Sequence, residues 1–413
     1  MAKVYTAMAS KKTAAIMYCP IPLSTKGYVN RTQKPSTVMA YPNKRNREHP
    51  SVNSHWSTQG ELVGLEFELT PTDNHILYPQ YTIGLHAWFL DQVRNTNPEL
   101  SQYLHDGQSE KPFTISGLSG SLISSGKNLQ LQGDRLYRWY VTGLSRPVVQ
   151  WLGKWTQNLP PRIELRNAPL TINSCKVFLE AKTYQQLWEQ QSPKTSNLKL
   201  SFLSPTSFRH KGHHLPLPIP VNLFHSYLRR WHDFSEIKCD RDLFLEWVDE
   251  FVILQRHYLQ SVKVAAGKRG MVTGFTGAIE LARSQKSKTQ FSGNIQQQQQ
   301  LFYALGQLAP YCGTGHKTPF GLGQTRLGWL VDDIQNVSTI QQILADRILE
   351  LTDIFRSQRQ RTGGNRATDI AETWATILAR RELGESLVAI ATDLEMPYQT
   401  VKTYAKLARR ALN

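Results

Sequence analysis

Leu62-Val63-Gly64-Leu65-Glu66-Phe67-Glu68-Leu69 is the stretch from which the fold can be read. Val63, Leu65, Phe67 and Leu69 share one parity while Glu66 and Glu68 take the other, and a period of two predicts a strand with one apolar face. A loop follows over Pro71–Pro79. Leu85, Trp88, Phe89 and Val93 then repeat at helical spacing and predict a helix from about Thr82 to Asn95. Asn97-Pro98 supplies an N-cap and a first-turn proline for a second, short helix reaching about His105. Beyond it, Phe113–Leu118 and Arg135–Val141 read as strands, Pro147–Gln157 as a helix and Leu170–Lys182 as a strand. The order is β-α-β-β-α-β, the ferredoxin-like pattern.

The order recurs. Leu198–Leu203 reads as a strand, Val221–Asp233 and Asp240–Arg256 as helices, and Tyr258–Ala266 and Met271–Ala282 as strands joined by a Gly267-Lys268-Arg269-Gly270 turn. Asn294–Leu308 is a predicted helix and Gln324–Leu330 a closing strand. The expected fold class is therefore α+β: two tandem ferredoxin-like units over residues 61–190 and 195–332. An all-helical segment over 338–413 follows, in which Ser386–Leu394, a break at Glu395-Met396-Pro397, and Tyr398–Leu412 have helix-turn-helix spacing. Ile390, Leu394, Val401, Tyr404 and Leu407 form its expected seam, with Lys402, Lys406, Arg409 and Arg410 outside. Residues 1–60 lack periodicity and are rich in Ser, Thr, Pro, Asn, Lys and Arg; they are expected to be a flexible basic arm.

The 413 residues carry 48 Lys and Arg against 32 Asp and Glu, a net charge of +16 that points to a polyanionic partner. Half of that excess, +8, lies in residues 1–60. No apolar run approaches the ~18 residues of a spanning helix, which argues against an integral membrane protein. Four widely spaced cysteines without a CxxC pair argue against a disulfide scaffold and suit a cytoplasmic location.

The most distinctive motif is Gly313-Thr314-Gly315-His316-Lys317-Thr318-Pro319-Phe320-Gly321-Leu322-Gly323, between a predicted helix and strand. His316 separates glycine from lysine and the element order is reversed, so a P-loop is excluded. Glycines flanking a lysine permit close backbone approach to phosphates, or simply a tight turn. The preferred reading makes Gly313, Gly315, His316, Lys317, Gly321 and Gly323 a nucleic-acid contact.

A loop of this composition near the end of a second ferredoxin-like unit resembles the CRISPR-associated repeat-processing endoribonucleases, the sixth Cas protein family. The amino-terminal half is similar to that family as well: Gly84-Leu85-His86-Ala87-Trp88-Phe89-Leu90, Asn97-Pro98-Glu99-Leu100, Tyr103-Leu104-His105-Asp106 and Lys111-Pro112-Phe113-Thr114 follow in order, and Leu203–Arg209 looks like the opening of the second unit. The resemblance spans about residues 61–332. It implies metal-independent cleavage of precursor CRISPR RNA within each repeat, with the 2′-hydroxyl of the RNA as nucleophile and 2′,3′-cyclic phosphate and 5′-hydroxyl ends as products. No cofactor or metal is implied. Such chemistry needs proton transfer at the 2′-oxygen and the leaving 5′-oxygen, and a cation for the charge that develops on phosphorus. By position His105 matches the family's catalytic histidine and Lys111 a lysine near the scissile phosphate. His86 in the first helix is the rival histidine. The first helix reads Trp88-Phe89-Leu90 where some relatives carry a tyrosine, which leaves Tyr103 as a nearby candidate for a second proton-transfer group.

Other basic features complete the expectation. Arg209-His210-Lys211-Gly212-His213-His214 lacks a regular ligand spacing and reads as an RNA-facing loop through Arg209 and Lys211 rather than as a zinc site. Lys268 and Arg269 at the hairpin tip, and Arg229-Arg230 on a helix, are candidate phosphate contacts. The partners expected are the precursor repeat RNA and the mature guide RNA, with other Cas effector subunits as possible further partners. A non-catalytic guide-binding subunit and a DNA-binding regulator acting through residues 386–412 are the alternatives.

Overall fold

Two antiparallel sheets carry the two α+β units of the chain. The structure is a computed structural model, and it describes residues 51–53, 56, 59–105, 110–126, 128–190, 197–284, 291, 293–358 and 364–412. Of the expected arm over residues 1–60, residues 1–50, 54–55 and 57–58 lie outside the described residues. Ser51–Asn53, at the end of the segment read as an arm, forms a strand that pairs in parallel with Ser174–Lys176.

The first sheet runs in the order Ala168–Lys182, Leu62–Pro71, Tyr137–Gly143, Phe113–Ile115. In terms of chain order this is fourth, first, third, second, the ferredoxin-like arrangement. The central strand obeys its period: Val63, Leu65, Phe67 and Leu69 enter the first core, against the helices Tyr81–Thr96 and Arg146–Trp155. Glu66, on the other parity, pairs with Lys176 at 2.8 Å and Arg138 at 3.5 Å. The short helix Pro98–His105 begins as expected, with the Asn97 side chain accepting from the Leu100 amide at 3.0 Å.

The second sheet runs Val252–Ala265, Met271–Arg283, Leu198–Thr206, Thr325–Leu327, the same arrangement. The helices Pro220–Phe234, Arg241–Phe251 and Ile295–Cys312 close its core around Phe202, Phe224, Trp231, Trp247 and Phe302. Here one expectation is corrected. The helix read over Asp240–Arg256 ends at Phe251, and Val252-Ile253-Leu254 already belong to the strand, paired with Arg283, Ala282 and Leu281. A β-branched apolar run beside an available ladder overrides helical continuation. The loop read over Pro71–Pro79 likewise holds a short strand, His75–Leu77, in a small sheet with Asn128–Leu131 and Ile123–Ser125. Three-residue strands are too short to show a period.

Four helices follow: Thr339–Ser357, Gly364–Glu382, Leu387–Leu394 and Tyr398–Leu412. Ile390, Leu394 and Val401 of the expected seam are buried in the last pair with Tyr404 packed against them, whereas Leu407 lies outside that cluster, and Glu395 makes the turn in the left-handed region at φ 53°. Among the described residues, no helix is long and apolar enough to cross a membrane.

Candidate active site

The short helix Pro98–His105 delivers two functional groups to one point. The Nδ1–H of His105 donates to the Ser101 carbonyl at 2.7 Å, four residues earlier on the same helix. That bond fixes the tautomer and ring orientation, and it leaves Nε2 of an exposed imidazole as the nitrogen that can accept a proton. Lys111 enters from the next strand's approach, and its Nζ donates to the Leu104 carbonyl at 2.8 Å. An ammonium at an orphan carbonyl of a helix C-terminus is favourable both as a hydrogen bond and against the helix dipole. His105 and Lys111 therefore meet at one helix end.

His86 lies close by but in a different environment. Its ring stacks on Phe320 of the Gly-rich loop, with centroids 4.1 Å apart, and more distantly on Phe113 at 6.0 Å. Burial, then the positive charge of Lys268, pushes its pKa down to about 4, and the fields of His105 and Lys111 act in the same direction. His86 is thus neutral near pH 7.

The Gly-rich loop is built mostly from internal contacts. Gly313, Gly315, Gly321 and Gly323 are all buried with positive φ. A Cβ on Gly315 would stand 2.2 Å from the Ser207 carbonyl oxygen, and one on Gly323 2.0 Å from that of Thr314, so the close backbone approach these glycines permit is to protein. Thr314 is held at 2.7 Å by both the Tyr227 and Thr325 hydroxyls. The Gly315 carbonyl accepts from Arg230 at 2.7 Å. Nδ1–H of His316 donates to the Ser207 carbonyl at 2.8 Å, and burial pushes this imidazole down to about 3. Lys317 donates to the Ala266 carbonyl at 2.6 Å, with burial lowering its pKa to about 8. The loop also joins the units, since Gly321 bridges to Ser116 of the first one.

The remaining candidates divide by exposure. Arg209 and Lys211 are exposed on the hairpin Phe208–Leu215, where Lys211 and Gly212 take φ 49° and 83° in succession, as a two-residue turn with both φ positive requires. Lys268 pairs with Glu395, and the exposed Arg269 lies 3.7 Å from Asp369. Arg230 is buried, its guanidinium held by Ser226, Gly315 and Glu110. Sequence reasoning missed Phe320, Glu110 and Glu395 as parts of this neighbourhood, because each acts through a partner dozens to hundreds of residues away. Among the described residues, no group of three or more His, Cys, Asp or Glu side chains is placed to hold a metal ion.

Comparison with known proteins follows the same division into two units. The family model for the CRISPR Cas6 N-terminal domain matches residues 64–140, and that for CRISPR-associated endoribonuclease Cas6 matches residues 200–325. A Thermus thermophilus Cas6 product complex shares the fold at 24% identity and a TM-score of 0.52, covering 65% of this chain and all of that one. A second Cas6 product complex does so at 23% and 0.50, covering 65% and 99%. A search of curated proteins returns no match. With both domains of the family matched in chain order on the two units the structure shows, the chain belongs to the CRISPR-associated Cas6 endoribonuclease family.

Proposed function

We propose that this protein binds CRISPR repeat RNA in the precursor transcript and cleaves it without a metal ion, by attack of the RNA's own 2′-hydroxyl. The observation that supports this most directly is the convergence of His105 and Lys111 on the end of helix Pro98–His105. Nε2 of His105 faces outward and takes the proton role at the reacting oxygens. Lys111 supplies the cation for the charge that grows on the phosphoryl oxygens. Transfer of the 2′-hydroxyl proton, attack on phosphorus and departure of the 5′-oxygen leave a 2′,3′-cyclic phosphate and a 5′-hydroxyl. His86, stacked and neutral, positions the loop of the second unit rather than moving protons. Arg209, Lys211 and Arg269 are the exposed cations that grip the backbone, and the product guide RNA stays bound through them.

The test is incubation of the cognate repeat RNA with the protein in EDTA, with end-group analysis. Cleavage there, abolished by a 2′-deoxy substitution at the scissile nucleotide, is the expected result. A requirement for Mg²⁺ would overturn the proposal.

A further inference from the structure

The charge of the carboxy-terminal helices is segregated in a way their small net value conceals. Residues 338–413 hold 11 basic and nine acidic residues, and all nine acids precede Tyr398. The last helix, Tyr398–Leu412, contains Lys402, Lys406, Arg409 and Arg410 and no Asp or Glu. These four sit at i, i+4, i+7 and i+8 and therefore share a face. All four are exposed, whereas Val401, Ala405 and Ala408 on the opposite face are buried.

Three other cations of the module are spent internally. Arg347 pairs with Glu382 and Glu350, Arg380 with Glu385 and Asp393, and Arg381 donates to the Glu385 carbonyl. None of the four on the last helix makes an ion pair among the described residues. Leaving four like charges in a row on one helix face is unfavourable unless a polyanion neutralises them.

The row is also anchored relative to the candidate active site. The turn before the helix carries Glu395, which pairs with Lys268, and the fields of both residues reach His86. Gly270 at the same hairpin tip donates to Thr376 at 3.0 Å, and Arg166 of the first unit holds Asp393 at 2.7 Å. Ala265 shares a core with Leu344, Ile348 and Ala375. The helix thus starts close after a turn that touches the candidate active-site neighbourhood, and its 15 residues make it about 22 Å long.

We propose that the exposed face of Tyr398–Leu412 is a second RNA-binding surface, a basic rail that grips the backbone of the repeat RNA beyond the segment being cut. The inference rests on the RNA-processing role above, and it turns a helix-turn-helix to RNA rather than to DNA. It recognises charge and not bases, so it extends affinity for the substrate without selecting its sequence.

The test compares wild type with the variant combining Lys402→Ala, Lys406→Ala, Arg409→Ala and Arg410→Ala. Affinity for the full repeat RNA is measured from about 50 to 200 mM salt, alongside single-turnover cleavage at saturating RNA. The expected result is at least about tenfold weaker binding, with the salt slope shallower by about 2–4, since each lost phosphate contact removes ~0.7–0.9. Cleavage at saturation stays within about twofold. The Lys402→Arg, Lys406→Arg variant keeps wild-type affinity, which separates charge from folding. Unchanged affinity and slope in the fourfold variant overturn the proposal. So does tighter binding of duplex DNA than of repeat RNA through the same residues. Binding of the repeat by wild type without cleavage sinks the nuclease reading alone, because the rail is read from affinity.

Discussion

His86 of the first helix stacks face to face on Phe320 of the Gly-rich loop, 4.1 Å between centroids. One contact thereby ties the first ferredoxin-like unit to the second, beside the helix end that carries His105. The histidine that competes for a catalytic role in the sequence is in the structure a joint between the units. Its depressed pKa follows from that position.

Replacing His105 by Ala is expected to slow single-turnover cleavage by ~10²–10⁴, the range for a positioned acid–base group. RNA affinity should change little, because the imidazole is exposed and its hydrogen bond among the described residues is to its own helix. Parallel binding and cleavage assays check this; equal loss in both would remove His105 from the chemistry.

Lys111→Met keeps most of the stem and removes the charge. Cleavage should fall by ~10²–10³, as for loss of one group that stabilises transition-state charge. The cap on the Leu104 carbonyl is lost too, so a modest fall in thermal stability accompanies it. Full activity in Lys111→Met would show that another cation serves the phosphate.

Stability should decline as pH falls from about 6.5 toward 4. Burial holds His86 and His214 down to about 4 and His316 to about 3, against 6.5 in an unfolded chain. Below 6.5 the unfolded state therefore binds protons that the folded state does not, and stability rises with pH across that window. Denaturant midpoints between pH 4.5 and 7.5, roughly spanning these pKa values, measure it. His86→Phe retains an aromatic on Phe320 and should shallow the slope. A slope identical to wild type would place His86 outside the titrating set.

Gly323→Ala tests what the Gly-rich loop is for. A Cβ there meets the Thr314 carbonyl oxygen at 2.0 Å, and the residue sits at φ 69°. Both clash and strain predict a loss of ~1–3 kcal/mol or more, read by thermal or denaturant unfolding. Unaltered stability with lost RNA affinity would instead mean that the glycine faces RNA.

Arg380→Met removes the main partner of the Glu385 carboxylate, of which only 1% of the side chain is exposed, and leaves it Arg166 at 3.8 Å. Breaking such a buried pair costs ~3–5 kcal/mol. Unfolding of the helical module should precede that of the two sheets, followed by probes in each part.

What could be read from the sequence is local and repetitive. The period-two strand at Leu62–Leu69, the Asn97-Pro98 cap and the order of elements are set by neighbours a few residues apart, so two ferredoxin-like units and a helix-turn-helix were legible without coordinates. Motif order singled out His105 and Lys111, and the structure brings both to the end of one helix. Tertiary structure alone decided that Val252 starts a strand, since its ladder partners lie some thirty residues on. It alone decided that the loop glycines accommodate protein backbone, that Arg230 is buried under Gly315, and that Glu395 reaches Lys268. Those outcomes depend on surfaces meeting across long sequence separations, where desolvation and packing, not periodicity, set the energy.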